Sequence, residues 1–171
     1  MQAQPKLEIV KTPLDKALAV AGIILLAILW ATTFYVISRL PEIIPIHFGL
    51  NGEADGFGKR KELIVFPIIA TFIVGLFSLF SKFPDLTVIG KKKFIAPEKR
   101  ERFASFTIRF MRIMRIAIIL LFFVILYSIY NAAHSATPKL GSWDILLALG
   151  LIFAPIGIFL YFLRKQGFYK S

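Results

Sequence analysis

The sequence predicts an all-α integral membrane protein with four transmembrane helices and an ordered extracytoplasmic loop or small hairpin between the first two. Of its 171 residues, 57% are hydrophobic and only 18% are charged, and the mean hydropathy is +0.74. A water-soluble domain of this length needs more polar surface than that. Four apolar runs alternate with polar segments. The chain has no cysteine, which excludes disulfides, thiolate metal ligands and a thiol nucleophile.

Three of the four apolar runs approach the roughly 20 residues that a helix needs to cross the hydrocarbon core. The run from Ile116 to Tyr130 is shorter, so the preceding Met111–Arg115 turn is expected to enter the interface with its arginines directed to headgroups. Pro13 suits the first turn of a helix, and Asp15 would lie near the positive end of its dipole. Pro155 lies inside the last run and predicts a local kink. The predicted spans are about 17–38, 63–81, 108–131 and 143–163, within a single membrane domain of residues 1–171.

The distribution of basic residues predicts how the four spans are oriented. Four spans place both termini and the 81–105 segment on one side of the membrane. That side carries 16 of the 21 Lys and Arg residues, whereas each side carries five acidic residues. Because cytoplasmic loops are enriched in Lys and Arg, we expect a multi-pass protein of the cell (plasma) membrane with both termini cytoplasmic. The 40–61 loop is then outside.

The net charge of +11 indicates a lipid partner and argues against a nucleic-acid partner. The charges lie at the edges of apolar segments, where anionic headgroups on the cytoplasmic side would meet them. The third helix begins as an amphipathic helix, and its arginines have the every-third spacing of a voltage sensor. They lie at the membrane edge beside other basic residues, so headgroup binding is favoured. The predicted headgroup-binding residues are Arg102, Arg109, Arg112 and Arg115.

The segment 40–61 is the long polar segment with the most specific residue chemistry. Prolines near its start favour extended backbone in the residue before each of them. Asn51-Gly52 is a tight-turn signal, because both residue types tolerate positive φ. These features predict a small hairpin or ordered loop over the outer helix ends. The predicted loop-motif and partner-binding residues are Pro41, Pro45, His47, Phe48, Asn51, Gly52, Asp55, Gly58 and Lys59.

A spaced pattern in this loop resembles a known family. The pattern is P-x-x-I-P-x-H-F-x-x-x-G-x-x-D-x-x-G-K, in which Ile44 joins eight of the residues just named. It resembles the uncharacterised membrane domain at the N-terminus of the Sdp toxin-immunity proteins, over about residues 17–82. The resemblance implies a polytopic membrane protein. The best-known members protect a cell from a secreted peptide toxin, and one also sequesters a transcriptional repressor at the membrane. Those members are longer and carry a second multi-span domain.

His47 and Asp55 are the reactive pair of the loop, and two interpretations of them remain open. Across a hairpin turn they could face each other and form a ligand-gripping or pH-sensing element. Alternatively, they form a hydrogen bond that fixes the loop. No metal site or cofactor is predicted. The alternative is a site of His47, Asp55 and His134, although no helical ligand pair with metal-binding spacing is present.

Three functions are compatible with the sequence. The first is a small polytopic membrane protein, similar to Sdp-type immunity and signalling proteins, that binds a peptide, lipid or protein partner through loop 40–61. The second is an accessory structural subunit of a larger membrane complex, in a homo- or hetero-oligomer. The third is a metal-dependent membrane enzyme. No catalytic constellation is found in the sequence, so we expect no enzymatic activity.

Overall fold

The computed structural model describes Ile9, residues 11–49 and 51–88, Ile95 and residues 97–168. Part of the basic segment predicted between the second and third spans, including Lys91, lies outside these residues. The helices are α1 Pro13–Arg39, α2 Val65–Phe80, α3 Pro84–Val88, α4 Arg100–Ala133 and α5 Ser142–Lys165, with 3₁₀ turns at Arg60–Ile64 and Pro97–Lys99. The strands are β1 Ile43–Phe48 and β2 Ala54–Lys59. The fold is therefore mostly helical, with a two-stranded antiparallel hairpin in the segment between α1 and α2.

Among the residues that the structure describes, four helical segments are long and apolar enough to cross a membrane, as the four apolar runs predict. They are Pro13–Arg39, Arg60–Phe80, Arg100–Ala133 and Ser142–Lys165, with mean hydropathies from 2.3 to 2.6. Each begins or ends a few residues away from the predicted span. This is the architecture of a multi-pass membrane protein. Each of these helices satisfies its own backbone hydrogen bonds, as a lipid environment requires.

The start of α1 is fixed by a reciprocal cap, as Pro13 and Asp15 suggested. The backbone N–H of Asp15 donates to Thr12 Oγ1 at 3.3 Å, and the backbone N–H of Thr12 donates to Asp15 Oδ2 at 3.0 Å. These bonds satisfy two donors that a helix start would otherwise leave unpaired. The cap also orients the Asp15 carboxylate, which lies 4% exposed against α4.

α4 is the central helix, and α1, α2, α3 and α5 all pack on it. α1 and α4 run in the same direction, because Asp15 near the start of α1 contacts Arg112 in the first half of α4. At their other ends, Leu40 and Ile129 share one core cluster. That cluster joins α1, β1, the 3₁₀ turn, α2 and α4 through Leu29, Val36, Leu40, Ile44, Leu63, Ala70, Val74, Ile119, Phe122, Leu126 and Ile129.

Both described ends of the chain lie beside the start of α4. Thr12 accepts a hydrogen bond from Arg109 at 3.2 Å. Near the C-terminus, Phe168 packs edge-on against Phe103 with ring centroids 5.4 Å apart, and Lys99 Nζ donates to the Gly167 carbonyl at 2.7 Å. We call this the terminal end of the bundle and the opposite one the hairpin end. An even number of crossings follows from this arrangement.

Candidate functional site

Strands β1 and β2 form an antiparallel hairpin that continues directly from α1. Ile43 lies opposite Lys59, Pro45 opposite Phe57, and His47 opposite Gly56. The register shifts between Pro45 and Phe48, so the strand is irregular at His47. Such irregularities bend a strand and redirect its side chains. Here the shift lies at the histidine that the sequence singles out.

The hairpin turn contains the Asn51-Gly52 pair that the sequence predicts as a turn. Gly52 has φ of +80°, a conformation that L side chains rarely adopt. Its N–H donates to the Gly49 carbonyl at 2.8 Å, and the Gly49 N–H donates to the Glu53 carbonyl at 2.9 Å. The side-chain oxygen of Asn51 accepts from the Glu53 N–H at 3.0 Å. Asn51 and Gly52 therefore close the turn and are structural within it.

The α4–α5 connection docks on this turn, which sequence reasoning missed. The Ala54 N–H donates to the Pro138 carbonyl at 3.0 Å, and the Leu140 N–H donates to the Gly52 carbonyl at 2.9 Å. Glu53 pairs with Lys139 as an isolated antiparallel bridge, and their charged groups lie 3.7 Å apart. No sequence pattern predicts the pairing of Glu53 with Lys139, since the α4–α5 connection has neither the alternation of a strand nor the spacing of a hairpin. It ties the hairpin to the α4–α5 half of the bundle.

His47 and Asp55 face each other across the hairpin, as the first interpretation requires. The Nδ1–H of His47 donates to Asp55 Oδ1. The side chains are 73% and 54% exposed, respectively, so the pair lies on the solvent face. A Cβ added at Gly56 would lie 2.8 Å from the His47 Cβ, so the strand opposite the imidazole needs a glycine there. The contact fits both a ligand-gripping pair and a hydrogen bond that fixes the loop.

The remaining loop-motif residues have supporting positions. Pro45 is buried and Phe48 is half-buried against the main core.

The Lys59 N–H donates to Glu62 Oε1 at 3.0 Å, which caps the following 3₁₀ turn. A Cβ at Gly58 would meet the Glu62 carboxylate at 2.9 Å. The exposed residue Pro41 follows Leu40, the residue that caps the end of α1. These residues build the hairpin base, and His47 and Asp55 are its exposed polar pair.

A largely apolar cavity of about 380 Å³ lies between the hairpin and helices α4 and α5. Ile46 and Phe48 of β1 form one wall, Phe66 of α2 contributes to it, and Leu140 comes from the docked connection. The α4 and α5 walls are Val124, Ile125, Ser128, Ile129, Asp144, Ile145, Ala148 and Leu149. Ser128 and Asp144 are the lining residues with polar side chains. The Asp144 carboxylate accepts a hydrogen bond from the Gly141 N–H at 3.2 Å. The size and composition are typical of a pocket for an apolar ligand group.

The hairpin also exposes apolar side chains. Ile43 and Phe57 are 55% and 57% exposed, and Ile46 is 40% exposed while lining the cavity. Ile46 therefore connects the cavity to the outer surface of β1. His47 follows it directly along the chain, so the hairpin carries both an apolar wall and a polar pair, although neither His47 nor Asp55 lines the cavity.

The structure does not assemble the alternative metal site. Among the residues that the structure describes, no three His, Asp or Glu side chains are grouped so that they could hold a metal ion. The Nδ1 of His134 bonds to the Tyr130 carbonyl at 2.8 Å, and its ring lies 4.5 Å from the Tyr130 ring. His134 therefore packs on its own helix end and does not join His47 and Asp55.

At the terminal end, the arginines of α4 have partners within the protein. Arg112 Nη1 donates to Asp15 Oδ1 at 2.7 Å, and Arg109 Nε donates to the same oxygen at 3.1 Å. Arg115 Nη2 donates to the carbonyls of Leu18 and Ala19 at 2.9 and 2.8 Å. Arg112 and Arg115 are buried, whereas Arg102 is exposed. Headgroup binding by these four residues stays a prediction, but Arg109, Arg112 and Arg115 hold α1 against α4.

Comparison with known proteins identifies similarity without a described function. A domain of unknown function, DUF1648, matches residues 24–71, which include the second half of α1, the hairpin and the start of α2. An uncharacterized protein of Archaeoglobus fulgidus is 29% identical over 164 residues, which cover 89% of this chain and 88% of that protein. No solved structure matches. The resemblance to the Sdp toxin-immunity proteins stays a prediction.

Proposed function

We propose that this multi-pass membrane protein binds a peptide through its hairpin, with an apolar side chain of the peptide in the cavity beneath β1. The proposal follows the Sdp-type immunity role that the loop motif implies, and places the hairpin outside a cell membrane with both termini in the cytoplasm. The observation that carries it is that one hairpin both forms a wall of the cavity of about 380 Å³ and bears the exposed His47–Asp55 pair.

The presence of polar and apolar groups on one hairpin favours a peptide over a lipid tail. A lipid chain would use only the apolar walls, and would leave His47 and Asp55 without a role. A peptide offers both an apolar side chain for the cavity and backbone amides or charges for the polar pair. The exposed apolar residues Ile43 and Phe57 add contact surface on the same hairpin.

Native mass spectrometry of protein purified in mild detergent tests this proposal. Ala148→Phe places a ring in the cavity wall and should remove a copurified peptide. His47→Ala and Asp55→Ala should weaken its retention while insertion stays intact. Ala154→Phe is the matched control, because Ala154 lies on the same helix but lines a different groove.

Photocrosslinking in cells gives an independent readout. A benzophenone amino acid at Phe57 should crosslink to a peptide, and the Ala148→Phe change should abolish the crosslinked species. Equal retention of the same copurified molecule in all variants would refute the proposal, and so would crosslinks to lipid alone.

A second candidate is an accessory subunit of a membrane complex, and α5 is the observation that favours it. None of the 24 residues of this fully described helix is buried. Large apolar side chains cover it, including Leu146 and Phe153 at 57% and 62% exposure. Such a face suits either lipid or another chain. Migration of gently solubilised protein as a single small species on a native gel would count against this candidate.

A further inference from the structure

Two adjoining cavities lie at the terminal end of the bundle, opposite the hairpin. The first has a volume of about 370 Å³ and polar walls that include Arg102, Ser105, Arg109 and Gln166. The second is an apolar groove of about 210 Å³ between α4 and α5. Phe106 and Arg109 line both of them, so the polar cavity and the groove share a wall. A site of this kind is amphipathic along its length.

The groove has well-packed aromatic walls. The Phe159 ring stacks on Phe106 with centroids 5.0 Å apart and on Phe110 with centroids 4.1 Å apart. Pro155 and Ala154 of α5 face the same groove, and Ala154 is the smallest residue of its wall. Polar surface is nearly absent from the groove apart from Arg109. A flexible hydrocarbon chain fits such a surface.

The polar cavity has excess hydrogen-bond donors and positive charge. Arg109 uses Nε and Nη2 on Asp15 and Thr12, and among the described residues its Nη1 has no partner. Arg102 is exposed and likewise has none among them. Asp15 is also bonded by Arg112, so its single charge does not neutralise the arginines around it. Guanidinium groups with unused donors and uncompensated charge favour binding of a phosphate, which accepts several charge-assisted hydrogen bonds.

We propose that these two cavities form a specific binding site for one anionic phospholipid. The phosphate lies between Arg102 and the Nη1 of Arg109, and one acyl chain lies in the groove against Phe110 and Phe159. The shared wall favours a lipid over a soluble phosphate, because a soluble ligand would leave the apolar groove unused. In this arrangement Arg102 and Arg109 contact the headgroup, whereas Arg112 and Arg115 stabilise the bundle.

Native mass spectrometry with titrated lipid tests the site. The probes are phosphatidylglycerol, phosphatidylcholine with the same acyl chains, and water-soluble glycerol phosphate. We expect one phosphatidylglycerol to bind tightly, and Arg102→Gln to weaken it about tenfold through loss of a charge-assisted hydrogen bond. Arg164→Gln is the matched control, since it removes an exposed charge from the same end without changing either cavity.

A second variant tests the groove without changing any charge. Ala154→Phe should weaken phosphatidylglycerol about tenfold by filling the space for the acyl chain, whereas Leu160→Phe adds bulk elsewhere on α5 and should bind normally. Equal binding of phosphatidylcholine, or equal effects of Arg102→Gln and Arg164→Gln, would overturn the site. Competition by glycerol phosphate at the affinity of the lipid would show a soluble phosphate site instead. Because the readout is at the terminal end, it is independent of peptide binding at the hairpin.

Discussion

Replacing Asp15 by Asn should destabilise the packing of α1 on α4. Asp15 is 4% exposed and Arg112 is 7% exposed, so the pair is shielded from solvent. Arg112 Nη1 lies 2.7 Å from Asp15 Oδ1, and Arg109 adds two longer bonds to the same carboxylate. Removing one partner of a buried ion pair costs about 3–5 kcal/mol, because the other charge is left uncompensated. Asn keeps one acceptor oxygen, so we expect a loss near the lower end of that range.

The free energy of unfolding can be measured by titrating the protein with SDS in mixed micelles while following circular dichroism. Glu101→Gln is the matched control, because Glu101 is an exposed acid in the first turn of α4. Its effect should stay within about 0.5 kcal/mol, as for most surface substitutions.

A double-mutant cycle separates the ion pair from the cap that Asp15 also forms. Combining Asp15→Asn with Arg112→Gln removes both members of the closest contact. The double variant should then lose less stability than the two single variants together, because the buried Arg112 guanidinium is no longer left without its carboxylate and only the half-buried Arg109 loses a partner. Additive losses, or an Asp15→Asn effect as small as that of Glu101→Gln, would refute the view that this pair stabilises the bundle.

Two further predictions concern packing and orientation. Gly22→Ala would place a Cβ 2.6 Å from Nε of the buried Arg115, and displacing that guanidinium should cost at least about 1.5 kcal/mol in lost charged hydrogen bonds. Gly75→Ala, with nothing within 4 Å, should cost nothing in the same SDS titration, and equal losses would contradict the packing argument. The chain lacks cysteine, so Asn51→Cys should react with an impermeant maleimide in intact cells, and Lys165→Cys only after lysis. The reverse pattern would invert the orientation.

The candidate site was predictable in parts. The loop motif pointed to His47 and Asp55, and the structure places them in contact. The tight-turn signal identified Gly52, which has positive φ. The cavity could not be predicted, because its walls come from the hairpin, from α2, from both α4 and α5, and from the connection between those two helices. Their proximity depends on how the helices pack, and helix packing leaves little trace in local periodicity.

The arginines of α4 illustrate the same limit. Their spacing and position at a membrane edge predicted lipid contact, which stays a prediction for the exposed Arg102. Arg112 instead pairs with Asp15, 97 positions earlier in the chain. Neither the charge of Asp15 nor its place in the first turn of α1 indicates that partner. A residue with an evident local role, here a helix cap, can therefore have a second role that appears only when helices meet.

By itself, the sequence determined that the described chain forms four helices long and apolar enough to cross a membrane, since apolar length and backbone hydrogen bonding leave a lipid-embedded segment few other conformations. The sequence also located the Asn51-Gly52 turn in the segment between α1 and α2. The tertiary structure alone decided that α4 is the central helix, that the α4–α5 connection ties down the hairpin, and which arginines remain available for ligands. The physical reason is that hydropathy acts on each segment separately, whereas ion pairs and cavities require groups from distant segments to meet at specific distances.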